Sequence, residues 1–103
     1  MSIVKLTKEN FVDKVMGAQK VVLIDFYADW CGPCRMLSPT IEEIANERED
    51  VKVCKVNVDD QPELANTFEI SVIPTLVAMK DGGVLNKSTG VMGKDSIIKM
   101  LGL

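Results

Sequence analysis

Val21-Val22-Leu23-Ile24-Asp25-Phe26-Tyr27-Ala28-Asp29-Trp30-Cys31-Gly32-Pro33-Cys34, running into the segment Arg35 to Arg48, decides the fold. The first part is β-branched and apolar at almost every position, which predicts a strand covered on both faces. The segment from Arg35 carries Leu37, Ile41, Ile44 and Ala45 on one face and Glu42, Glu43, Glu47 and Arg48 largely on the other, which is helical spacing. A buried strand therefore ends, the backbone turns, and a helix begins with two thiols in its first turn. Free N–H groups and partial positive charge at a helix N-terminus favour a thiolate, the nucleophile of disulfide exchange. Pro33 suits the first turn because it removes only an N–H that would be unpaired there. Gly32 leaves room for another backbone to approach.

Working outward, the chain has 103 residues, enough for one core and one domain spanning 1–103. With 47% apolar and 26% charged residues it has the composition of an ordinary globular protein. The net charge is −3 with both signs interspersed, so there is no basic footprint for nucleic acid. No apolar run approaches membrane-spanning length, and the N-terminus reaches an amphipathic helix without a leader pattern. The expectation is a cytoplasmic chain that binds neither membrane nor nucleic acid. Three cysteines, an odd number, argue against a disulfide framework, and in a reducing compartment a C-x-x-C pair reads as catalytic or redox-sensing. Histidine is absent, which excludes Cys–His catalysis and Cys₂His₂ zinc sites; a Cys₄ site fails by count. No cofactor or metal is expected.

Ile3 to Leu6 is a short strand. Thr7 caps a helix whose Phe11, Val12, Val15 and Met16 face the core, ending at Gly17. Lys20 to Tyr27 is the central strand. Pro39 lies inside the Arg35–Arg48 helix, where a proline usually kinks it. Val51 to Val58 is a strand, stopped by Asp59-Asp60-Gln61-Pro62, and a short helix follows from Pro62 with Leu64, Ala65 and Phe68 inward. Thr75 to Met79 and Val84 to Thr89 flank the turn signal Asp81-Gly82-Gly83 and form a hairpin. Lys94 to Leu101 is the last helix, with Ile97, Ile98 and Leu101 inward. Strand–helix–strand units give parallel strands with right-handed crossovers and the hairpin is antiparallel, so the product is an α/β fold: a mixed five-stranded sheet with helices on both faces.

Asp25-Phe26-Tyr27-Ala28-Asp29-Trp30-Cys31-Gly32-Pro33-Cys34, Pro39 five residues past the second cysteine, Ile73-Pro74-Thr75 and Gly90 together resemble the thioredoxin family, almost end to end. The resemblance implies the thioredoxin fold, with strand order β1-β3-β2-β4-β5 and four flanking helices. It implies a thiol–disulfide oxidoreductase that reduces disulfides in protein substrates and is itself re-reduced by a thioredoxin reductase, flavin-based from NADPH or ferredoxin-dependent. A monomer is expected. Two positions depart from the common pattern: Tyr27 where many members have tryptophan, and Met79 where many have phenylalanine. The Tyr27 hydroxyl then needs a partner.

Cys31, the outer thiol at the turn, is the expected nucleophile. Cys34, one helical turn further in on the same face, is the expected resolving thiol. Asp25 admits two readings, a strand-end carboxylate that reaches water or a buried proton acceptor beneath Cys34; the resemblance favours the second. It also places a lysine near that aspartate, at Lys55, which by itself would be an ordinary surface residue. It makes Pro74 cis, beside the cysteine pair, with the Ile73 backbone pairing an extended substrate. Trp30, Gly32, Pro33, Ile73, Gly90 and Val91 would form a small apolar rim. Cys54 lies in a strand outside the motif and reads as core, with a regulatory thiol as the minority reading. Two other functions remain open: a redox-independent thioredoxin-fold binding subunit of a partner protein, and an oxidase or isomerase. The absence of histidine between the cysteines speaks against the last.

Overall fold

The structure, a computed structural model, describes residues 3–103. Five strands, β1 (Val4–Lys5), β2 (Val21–Tyr27), β3 (Val51–Asn57), β4 (Thr75–Lys80) and β5 (Gly83–Thr89), form one sheet in the order β1-β3-β2-β4-β5. β3 pairs in parallel with β1 and β2, whereas β4 runs antiparallel to β2 and β5. Every residue of β2 but the last is buried, as its two-sided apolar sequence predicts.

Alternation along β2 divides the core. Val21 and Leu23 pack with Leu37, Ile41 and Ile44 of helix α1 (Gly32–Glu47) and with Ile97 of helix α3 (Lys94–Met100). Val22, Ile24 and Phe26 take the opposite face with Leu6, Val15 and Cys54, and with Leu64 of helix α2 (Pro62–Thr67). By this alternation Asp25 projects toward the α1 face, at the end of the strand where the cysteines lie. Its neighbours across the sheet are Lys55 on β3 and Leu76 on β4.

Three local features differ from, or sharpen, the sequence reading. The segment after Thr7 is not a regular helix. The Thr7 amide donates to Asn10 Oδ1 at 2.8 Å and the Asn10 amide donates to Thr7 Oγ1 at 3.2 Å, which closes a turn. A π-helical stretch (Val12–Met16) follows, with the Gly17 amide donating to the Val12 carbonyl at 3.3 Å. Phe11 and Val15 pack on the core, but Val12 is 70% exposed and Met16 is exposed too, so only one of the two apolar stripes meets the sheet. α1 starts at Gly32, three residues before Arg35, because Cys31 itself is its N-cap. The hairpin turn places Asp81 (φ 52°) and Gly82 (φ 78°) both in the left-handed region, the geometry that matches the twist of the flanking strands. No helix among the described residues is long and apolar enough to cross a membrane.

Candidate active site

Cys31 caps α1 for a local reason: an extended residue ends the strand-to-helix turn, and Pro33 follows in the first helical turn. The Cys34 amide donates to Cys31 Sγ at 3.2 Å, so the helix N-terminus points a backbone N–H at the outer sulfur. The two cysteines are joined in a disulfide, with Cα atoms 5.2 Å apart, and both are largely buried. Helix-end donors of this kind stabilise the thiolate that reduction releases.

Opposite the pair lies the segment before β4. The Ile73–Pro74 peptide is cis, as the resemblance implied, and Cys31 Sγ stands 3.9 Å from the Ile73 carbonyl oxygen. The segment is fixed on both sides: the Gly90 amide donates to the Pro74 carbonyl at 2.9 Å, and the Thr75 hydroxyl donates to the Val72 carbonyl. Gly90 adopts a φ of 88°, which favours glycine at that contact. Trp30 is 68% exposed, and Val91 and Pro33 are exposed with it, while Ile73 is half-buried. A Cβ added at Gly32 would meet nothing within 4 Å, so the backbone at Gly32 is open to approach.

The sequence reading missed two members of this rim. Val72 is 55% exposed beside Ile73. Asp59 accepts a 2.8 Å hydrogen bond from the Trp30 indole N–H and thereby holds the ring in place. In the sequence Asp59 looks like part of a strand stop, and it is one: its amide donates to Asn57 Oδ1 at 2.9 Å. Its second role depends on a contact across 29 residues, which no local pattern carries.

Beneath the cysteines Asp25 is only 6% exposed, and its Oδ1 has no hydrogen-bond partner. Burial pushes its pKa up to about 6, against the pull of the Lys55 charge, which favours the carboxylate. Asp25 nonetheless opens onto a cleft of about 220 Å³, which it shares with Tyr27, Ala28, Asp29, Cys34, Arg35, Ser38 and Lys55. The carboxylate is therefore buried at the strand end and still has a route toward water. Lys55 lies beside Asp25 in the β2–β3 register, its Nζ 5.4 Å from the centre of the Tyr27 ring. Burial, with the Asp29 carboxylate beside it, pushes the Tyr27 hydroxyl pKa up, and the nearby Asn57 side chain works against that shift. Arg35 Nη1 donates to the Asp29 carbonyl at 2.7 Å at the edge of the cleft. Cys54 stands apart, fully buried on the other face of the sheet, where burial pushes its thiol pKa up to about 11. That is the core position expected for it.

Comparison with known proteins gives the same grouping. The family model described as Thioredoxin matches residues 2–102. Thioredoxin of Chlamydia trachomatis serovar D is 45% identical over 96 residues, covering 93% of this chain and 92% of that protein. Thioredoxin of Mycobacterium tuberculosis is 43% identical over 99 residues, covering 95% of this chain and 85% of that protein. Among solved structures, chloroplastic thioredoxin z superimposes with a TM-score of 0.88 at 28% identity, over 99% of this chain and 93% of that one.

Proposed function

This chain belongs to the thioredoxin family and is a thiol–disulfide oxidoreductase that reduces protein disulfides, and on that premise we propose how its residues divide the work. Cys31 is the nucleophile. Its thiolate attacks one sulfur of a substrate disulfide, the other substrate sulfur leaves as a thiolate, and a mixed disulfide forms. The backbone N–H that Cys34 directs at Cys31 Sγ supports this assignment. Cys34 then gives up its proton and attacks Cys31 Sγ. The Cys31–Cys34 disulfide forms, the bond from Cys31 to substrate breaks, and the second substrate thiolate is released. A partner three residues away acts at high effective concentration, so the intermediate is short-lived.

Asp25 takes the Cys34 proton through the shared cleft. With a pKa of about 6 it is ionised at neutral pH yet remains an adequate base there. Lys55 tunes it by charge. Pro74 and the Ile73 backbone seat an extended substrate segment, and Trp30, Gly32, Pro33, Ile73, Gly90 and Val91 form the rim around it. Backbone pairing plus apolar contact selects for an exposed disulfide more than for a sequence.

The chain works with a thioredoxin reductase and with disulfide-containing proteins. We read the reductase as a flavin enzyme drawing on NADPH or a ferredoxin-dependent one, and the chain as a single-domain cytoplasmic monomer. Its odd cysteine count and its reducing Gly-Pro pair support the compartment.

One observation carries the mechanism: Cys34, in the first turn of the helix that Cys31 caps, lines a cleft shared with the buried Asp25 carboxylate, whose Oδ1 has no hydrogen-bond partner. The test is dithiothreitol-driven reduction of a protein with an interchain disulfide, with Cys31→Ser and Cys34→Ser as controls. Wild type accelerates it, Cys31→Ser does not, and Cys34→Ser accumulates a mixed disulfide. Full biological function of the double serine variant would instead identify a redox-independent binding subunit.

A further inference from the structure

Two side chains of the cleft, Arg35 and Ser38, have no task in the motif or the mechanism above; Arg35 is engaged by the Asp29 carbonyl, which leaves Ser38. It lies one helical turn beyond Cys34 on α1, and residues four apart on a helix are neighbours on one face. Ser38 lines the same cleft as Cys34 and Asp25. Ser38 is exposed at the mouth of the cleft and no hydrogen bond ties its hydroxyl to the described residues, whereas Asp25 Oδ1 is buried without a partner. A cleft of about 220 Å³ has room for more than one water molecule, and a water is held where two or more polar groups converge on it. A proton can pass from a thiol to a carboxylate that it does not touch only through such a molecule.

We propose that Ser38 is a positioning residue for the resolving step: its hydroxyl holds the water that carries the Cys34 proton to Asp25. The inference rests on the reading of Asp25 as the proton acceptor. Cys34 loses a proton to the water, the water passes one to Asp25, and the Cys34 thiolate displaces the substrate sulfur from Cys31, closing the Cys31–Cys34 bond. No further oxidant or reductant enters. A hydroxyl suits the task because it donates and accepts at once, and so orders the water without competing for the proton as a second carboxylate would. The charged and titratable groups around Asp25 are Lys55 on β3, Tyr27 on β2, Asp29 in the turn, and Cys34 and Arg35 on α1. Ser38 adds no charge to that set, so its removal changes the path of the proton more than the field around it.

The experiment follows resolution of a mixed disulfide between Cys31 and a chromogenic thiol by stopped flow, from pH 5 to 9, in wild type, Ser38→Ala, Ser38→Thr and Asp25→Asn. Alanine is a good helix former, so the first variant keeps α1 intact. Ser38→Ala is expected to slow resolution about threefold to tenfold near pH 7, part of the ~100-fold or more that a positioned proton transfer contributes. The deficit should shrink toward pH 9, where Cys34 deprotonates unaided, and Ser38→Thr, which restores the hydroxyl, should recover the rate. If Asp25→Asn slows resolution and Ser38→Ala matches wild type across the pH range, the role of Ser38 is refuted while that of Asp25 stands. If Asp25→Asn also matches wild type, the acceptor reading itself fails. A uniform, pH-independent loss in Ser38→Ala that threonine does not restore would reduce the residue to packing and overturn the proposal.

Discussion

Replacing Asp25 by asparagine should change how stability depends on pH, by an amount the structure fixes. The carboxyl is buried with one oxygen unpaired, and its pKa rises from 3.8 to about 6 on folding. Between those values the unfolded chain has lost a proton that the native chain still holds. The stability linked to this proton is therefore fully present below about pH 4, falls as pH rises to about 6, and levels off above. A difference of about 2 pK units at ~1.4 kcal/mol each gives a fall of roughly 3 kcal/mol. Water in the cleft screens the charge and brings that nearer ~2 kcal/mol. The asparagine of the variant carries no charge at any pH, so its own packing and hydrogen-bonding cost is a constant offset. The quantity to read is the difference between the two proteins at pH 8 minus that difference at pH 4, expected near ~2–3 kcal/mol in favour of the variant. Urea titration of the oxidised proteins measures it, since urea leaves the Lys55 charge unscreened and the disulfide removes two thiols from the titration. With an m-value of ~1–3 kcal/mol/M, the relative midpoint should move by about 0.7–3 M. Parallel stability profiles for the two proteins would mean that Asp25 titrates as an ordinary surface carboxylate, and the acceptor mechanism would lose its physical basis.

Other expectations follow from the same site. Lys55→Met removes the charge that favours ionised Asp25, so the rise of reductase activity with pH should shift upward; an unchanged profile would show that Lys55 does not act on the carboxylate. Asp59→Ala frees the indole of Trp30, which is the sole tryptophan, so fluorescence anisotropy reads its mobility directly. The anisotropy should fall and KM for protein substrates should rise, while stability changes by no more than about 1 kcal/mol because the bond is exposed. Cys54, buried and with its thiol pKa pushed up to about 11, should resist iodoacetamide in the reduced native protein while Cys31 reacts; mass spectrometry of labelled peptides decides it, and early labelling of Cys54 would contradict its core position.

The sequence was legible where short-range physics acts alone. The two-sided apolar run of β2, the Pro and Gly after Cys31 and the Asp-Gly turn each impose a local backbone choice, and each stands in the structure as its residues suggest. The reading was less accurate after Thr7, because Phe11, Val12, Val15 and Met16 satisfy a helical period whether or not the sheet has room for both stripes. Resemblance, not periodicity, supplied the strand order and the cis bond before Pro74.

By itself the sequence determined the element order, the dithiol at a helix start and the absence of histidine chemistry, since these depend on residue type and spacing along the chain. Only the tertiary structure decided that Asp25 is buried with an unpaired oxygen, that Lys55 lies beside it, that Asp59 holds Trp30 and that Ser38 shares the cleft. Burial, partner and field at a titrating group are sums over atoms brought together from distant segments, and a one-dimensional pattern does not contain those distances.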